Sequence, residues 1–240
     1  MDANKPTESD DANTPTPSRQ KVWATQRIWD VPTRLVHWGL VICIGLSWWA
    51  VENKRMDIHY WSGLVVLGLI VFRIYWGFAG PETARFARFI KGPRAVFTYV
   101  GTLFRPDYRA SFGHNPLGAL SVIALLLAVA IQVGLGLFAS DTSYVSSGPL
   151  SNLVDYETSE DITDLHEDFF NVLLFVIGLH ITAIAFYLVV KRTNLVGPMI
   201  TGSRRAENVE GPPAGIAPIS WVRLLIGVML AAGVVWLVAR

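Results

Sequence analysis

The sequence predicts an all-α integral membrane protein: a four-helix transmembrane bundle with a fifth, accessory transmembrane helix. Three observations carry this. Of the 240 residues 52% are hydrophobic and the mean hydropathy is +0.39, a membrane rather than a globular balance. Five apolar segments of about 17 to 24 residues are each long enough to cross a hydrocarbon core of about 30 Å. Lys and Arg are concentrated in alternate connections between those segments. A net charge of +1 gives no ground for a nucleic-acid partner, so membrane lipid is the expected surroundings.

In chain order, residues 1–26 are expected to form a disordered cytoplasmic tail, because the opening stretch is rich in Asp, Thr and Pro and lacks the apolar core of a secretory signal. The first span, residues 35–51, carries no charge and is expected to begin a turn earlier, around Pro32, since proline suits the first turn of a helix. The second, 58–79, contains only Arg73. The third, 117–139, and the fourth, from about 166 to 190, contain none beyond the polar start of the fourth. The fifth, 216–239, has only Arg223 near its beginning.

Loop charge gives the orientation. The tail up to Arg34 and the connections 80–116 and 191–220 hold most of the Lys and Arg. The loop 140–165 holds none and carries Asp141, Asp155, Glu157, Glu160, Asp161 and Asp164. The N-terminus is therefore expected on the cytoplasmic side of a bacterial inner membrane, and the C-terminus outside. Trp38, Trp76 and Trp221 then mark the inner interface, and Trp48, Trp49, Trp61 and Trp236 the outer one.

The chemistry-bearing residues are histidines. His166 and His180 are fourteen residues apart on one predicted helix, an advance of about 21 Å that returns the side chain to within roughly 40° of the same face. His37 starts the first span from inside and His59 the second from outside, so the depths pair as His37 with His180 and His59 with His166. Two histidines at each of two depths suit a pair of bis-histidine haems. The single cysteine, Cys43, allows no intrachain disulfide, and no Cys-x-x-Cys-His is present, so such haems would be non-covalent haem b. Any one histidine taken alone reads more readily as an interfacial residue than as a ligand; the matched quartet is what carries the inference. Arg73, fourteen residues after His59, is expected to meet an inner haem propionate, the alternative being a side chain that snorkels to the interface. Gly63, one turn after His59, leaves room for a flat macrocycle. His114 reads as interfacial.

The run Trp29-Asp30-Val31-Pro32-Thr33-Arg34-Leu35-Val36-His37-Trp38 resembles the opening signature of the bacterial cytochrome b561 family, related to the b-type subunits of nickel–iron hydrogenases. The likeness continues through His59-Tyr60-Trp61-Ser62-Gly63, Phe72-Arg73, Trp76-Gly77, Ala84-Arg85-Phe86, Gly92-Pro93-Arg94, Gly113-His114-Asn115-Pro116-Leu117-Gly118, Leu165-His166, Asn194-Leu195-Val196 and Met199-Ile200-Thr201-Gly202. The resemblance implies a haem-binding domain over residues 27–205, with two b haems on His37, His59, His166 and His180; the linker and fifth helix over 206–240 depart from the family's four-helix pattern. It implies transmembrane electron transfer between a membrane quinone pool or cytoplasmic-side carrier and a periplasmic redox partner, a c-type cytochrome being expected. Other readings stay open: a quinone oxidoreductase acting on a small outer-side donor, a hydrogenase cytochrome b subunit, or a non-redox membrane protein. The acidic loop could steer a basic cytochrome or only enforce topology, and the fifth helix could bind a partner or only pack.

Overall fold

A computed structural model of the chain describes residues 23–103, 115–140, 146–207 and 218–240. Five helices in it are long and apolar enough to cross a membrane: α1 (Val31–Glu52), α2 (Met56–Ala79), α5 (Pro116–Phe138), α6 (Tyr156–Val189) and α8 (Trp221–Val238). The elements between them are short: α3 (Phe86–Phe89), α4 (Pro93–Leu103), α7 (Val196–Thr201) and a two-stranded ribbon of β1 (Trp23–Arg27) with β2 (Ser203–Glu207). The end of the bundle where α1 begins is called the near end, and the other the far end.

Local sequence explains the boundaries. Asp30 caps α1 by accepting from the Thr33 amide at 2.8 Å, with Pro32 in the first turn. Asn115 caps α5 by accepting from the Gly118 amide at 2.7 Å, directly before Pro116. Both starts match the sequence reading.

Two boundaries do not. The expected tail ended at residue 26, but Trp23–Arg27 is a strand paired antiparallel with Ser203–Glu207, and the Ile28 amide donates to the Gly202 carbonyl at 2.8 Å. The partners are about 180 residues apart in sequence, so no local pattern announces the pairing. The remainder of the expected tail, residues 1–22, lies outside the described residues. The fourth span was expected from about 166, yet α6 begins at Tyr156: Asp155 accepts from the Thr158 amide at 2.9 Å and starts a helix of 34 residues. At 1.5 Å per residue that helix runs about 51 Å, well beyond a hydrocarbon core of about 30 Å, so its first turns project past the apolar band. Much of what reads as an acidic loop is thus a helical extension. It is tied to the end of α5, where the Ser159 hydroxyl donates to the Phe138 carbonyl at 2.7 Å.

Helix α2 is the axis of the fold. It packs against α1, α5 and α8, and α5 packs in turn against α6. One buried cluster joins Val36, Phe72, Trp76 and Ala84 to Ala231 of α8 near the α1 start. A second, in the middle of the bundle, joins Val66 and Ile70 of α2, Ala128 and Val129 of α5, and Leu173 of α6, with Cys43 and Ile44 of α1 against it. The apolar side chains left exposed on α1, α6 and α8, among them Leu35, Ile42, Phe175, Leu179, Val222 and Met229, form the surface that a bilayer would cover.

Candidate functional site

The histidines gather at two levels on either side of the middle cluster, with Leu173 seven residues from each of His166 and His180. At the far end the rings of His59 and His166 lie 6.1 Å apart, centre to centre, and perpendicular. Two imidazoles holding one metal ion between them, at metal–nitrogen bonds of about 2 Å, also stand roughly 6 Å apart, so this pair has the separation of a bis-histidine site.

Hydrogen bonds assign the ring protons. His59 Nδ1 lies 3.1 Å from the Ser47 carbonyl, and His166 Nδ1 lies 3.0 Å from the Gln132 carbonyl. A carbonyl only accepts, so each Nδ1 carries hydrogen and each Nε2 keeps its lone pair, the tautomer needed to ligate a metal through Nε2. The Ser47 hydroxyl, also 3.2 Å from His59 Nδ1, accepts from the buried Ser62 hydroxyl at 2.9 Å, which braces the turn carrying His59.

At the near end His37, from α1, and His180, from α6, are within electrostatic reach of each other. His180 Nδ1 is 3.1 Å from the Ser121 hydroxyl of α5. His37 Nδ1 is buried without a hydrogen-bond partner, and the ring stands edge-on to Trp38 with centres 5.1 Å apart. The structure therefore brings the rings of His59 and His166 together, and sets His37 and His180 at the other end of the bundle. Among the described residues no group of three or more His, Cys, Asp or Glu forms a cage for a bare metal ion. Two imidazoles at each level are the donor set that a b haem would take from this chain.

Gly63 faces open space: a Cβ added there would meet nothing within 4 Å. Arg73 does not take the snorkelling alternative. It is only 5% exposed, which rules out snorkelling, and its guanidinium lies 5.0 Å over the Phe86 ring, with Nη1 donating to the Ala84 carbonyl at 3.4 Å. Asp30 is the carboxylate whose charge it feels. The segment from Pro81 to Phe89 folds back over the end of α2 and supplies the Ala84 and Phe86 contacts. His114 lies outside the described residues.

Sequence reasoning missed two residues on α5 and one close approach. Ser121 and Gln132 face the two α6 histidines, and Gln132 Nε2 donates to the His166 carbonyl at 2.9 Å. Gly136, one turn on, lets the His166 ring lie against α5: a Cβ there would fall 2.9 Å from His166 Cε1. The one available signal was that Ser121 and Gln132 are the sole polar side chains of an otherwise apolar helix.

Comparison with known proteins identifies a family. The family model described as prokaryotic cytochrome b561 matches residues 28–202. Two curated relatives, each described as a probable Ni/Fe-hydrogenase 1 B-type cytochrome subunit, come from Escherichia coli K12 and Escherichia coli O157:H7. Each is 23% identical over 171 residues, covering 58% of this chain and 72% of the relative. No solved structure matches.

Proposed function

This chain belongs to the prokaryotic cytochrome b561 family, and on that premise we propose that it conducts electrons across the bilayer through two bis-histidine b haems, one on His37 and His180, the other on His59 and His166. As a member of the family it is a multi-pass b-type cytochrome of transmembrane electron transfer. The observation that supports haem ligation most directly is the far-end pair, with ring centres 6.1 Å apart and both Nδ1 atoms beside carbonyls; the second haem rests on the placement of His37 and His180.

Bound haem b supplies reversible one-electron iron chemistry. The protein's part would be to hold each haem with two histidines, His37 with His180 and His59 with His166, which would disfavour ligand binding at iron and favour outer-sphere transfer. The packed layer of Val66, Ile70, Ala128, Val129 and Leu173 keeps water out between the two levels. Trp76 of α2 donates to the Asp30 carboxylate at 3.1 Å and ties the near end of α1 to α2. Gly63 keeps the approach beside His59 open for a macrocycle.

The near end, with the N-terminus, faces the cytoplasm of a bacterial inner membrane, and the far end faces the periplasm. A basic c-type cytochrome is the far-side partner, steered by the acidic α6 extension. A quinone or cytoplasmic-side carrier serves the near end. Residues 27–205 form the electron-transfer unit, and α8 with its linker is an addition to it. Pyridine haemochrome analysis of purified protein should return two b haems per chain; one or none sinks the two-haem reading. A second reading, membrane subunit of a nickel–iron hydrogenase, is favoured by the description of the Escherichia coli relatives. Co-purification in mild detergent separates the two, since one predicts a small cytochrome and the other a hydrogenase.

A further inference from the structure

Helix α5 contributes no histidine, yet both of its polar side chains touch histidines of α6. Ser121 and Gln132 are eleven residues apart, three turns that bring them within roughly 20° of one face, and α6 runs antiparallel with His180 and His166 fourteen apart. The Ser121 hydroxyl is 3.1 Å from His180 Nδ1. Gln132 grips His166 from two sides. Its backbone carbonyl accepts from His166 Nδ1 at 3.0 Å, its side-chain amide donates to the His166 carbonyl at 2.9 Å, and that amide nitrogen lies 3.3 Å from both ring nitrogens. The Gln132 Oε1 is buried without a partner, an arrangement retained at a cost in desolvation.

We propose that Ser121 and Gln132 are positioning residues, each tuning one haem site: Ser121 the near-end site through His180, and Gln132 the far-end site through His166. The inference rests on the four-histidine reading above. Its physical basis is the proton on Nδ1. Once Nε2 ligates iron, Nδ1 keeps its hydrogen, and an acceptor on that hydrogen makes the imidazole a stronger electron donor. A stronger donor stabilises the oxidised iron and lowers the reduction potential. With Nε2 on iron, Ser121 would be such an acceptor for His180. At the far end the acceptors are the Ser47 and Gln132 carbonyls, which no side-chain change removes, so the Gln132 side chain acts instead on the ring's orientation by clamping the α6 backbone beside it.

The test uses the full chain with haem bound and three readouts: haem per chain, the midpoint potential of each component, and the low-temperature electron paramagnetic resonance of each oxidised haem. Ser121→Ala should keep two haems and raise the potential of one component only, with Ser121→Thr restoring it. Gln132→Met, close in volume but unable to donate, should shift the resonance of the other component; Gln132→Asn provides a smaller perturbation if Gln132→Met does not fold. Unchanged potentials and resonances at full haem content would overturn the proposal, as would both variants moving the same component. A parent protein with fewer than two haems would instead defeat the underlying reading, which haem counting alone reports.

Discussion

At the scale of single residues, the decisive groups are those that fix an imidazole rather than the imidazoles alone. Gly136 is one. Because an added Cβ would fall 2.9 Å from His166 Cε1 and 3.2 Å from Nδ1, Gly136→Ala must push the ring away from α5. The expected outcome is loss of the far-end haem with the near-end haem retained, read from haem per chain and the reduced-minus-oxidised spectrum. Gly45→Ala is the control, since nothing lies within 4 Å of its Cβ position, and it should leave both haems in place. Trp76 is a second such group. It is 1% exposed, stacks on Phe72 with ring centres 5.5 Å apart, and donates to the Asp30 carboxylate at 3.1 Å. Trp76→Phe keeps most of the packing and deletes one charge-assisted hydrogen bond, so it should cost about 1.5 to 3 kcal/mol, measured as an earlier thermal loss of helical circular dichroism in detergent. The four histidines stand out in the sequence because spacing groups His166 with His180 and the charge-derived orientation sets the depths of His37 and His59. Ser121, Gln132 and Gly136 were not, because a lone hydroxyl, amide or glycine in an apolar helix acquires its role only from the helix facing it.

At the scale of elements, α6 shows where reading by hydropathy stops. The spans were legible because water exclusion leaves a long apolar run. The ten residues before His166 are polar, and what makes them helical is the Asp155 cap together with Ser159 and Thr163, which bond to the end of α5 at Phe138 and Ser140. In helical form, Glu157, Asp161, Asp164 and Asp168 fall within about 60° of one face, and all four are exposed. That stripe sharpens the docking reading. Neutralising these four together should slow reduction or oxidation by a basic cytochrome at low salt and flatten its salt dependence, since the Debye length falls from about 30 Å at 0.01 M to about 8 Å at 0.15 M. Identical salt curves for variant and parent would leave the stripe as a topological charge run. Asp155 is best left intact, because it holds the helix start. The Thr158 amide, with its hydroxyl, keeps the Asp155 carboxyl below its ordinary range. A carboxyl depressed in the folded state stabilises the fold above its unfolded pKa and loses that contribution as pH falls through the folded value. Amide exchange at residues 156–159 should therefore stay protected through the ordinary Asp range and accelerate only at more acid pH, whereas Asp155→Ala should expose them at neutral pH.

At the scale of the whole molecule, the arrangement separates two tasks. The α1–α2–α5–α6 bundle holds the paired histidines, while α8 lies on the outer side of α2, where Gly227 nestles against Tyr75 and Phe72 and Arg223 Nη1 donates to the Ala79 carbonyl at 3.3 Å. The two histidine levels are fourteen residues apart on α6, about 21 Å, with packed hydrocarbon from three helices between them. Electrons crossing the bilayer would have to use both levels, whereas exchange with a partner at one surface needs only the nearer. This yields a functional prediction that haem counting cannot make. In vesicles with an electron acceptor trapped inside and a donor outside, His180→Ala should abolish transfer to the trapped acceptor while the remaining haem is still reduced from the side to which the far end is exposed. His166→Ala should abolish transfer as well, and should leave the near-end haem reducible only from the opposite side. Gly227→Leu, which forces α8 off α2 by adding bulk where a Cβ already falls 2.7 Å from the Tyr75 ring, should leave both haems and transbilayer transfer intact. If displacing α8 stopped transfer with both haems bound, the fifth helix would belong to the conducting path, and the division between bundle and accessory helix would be wrong.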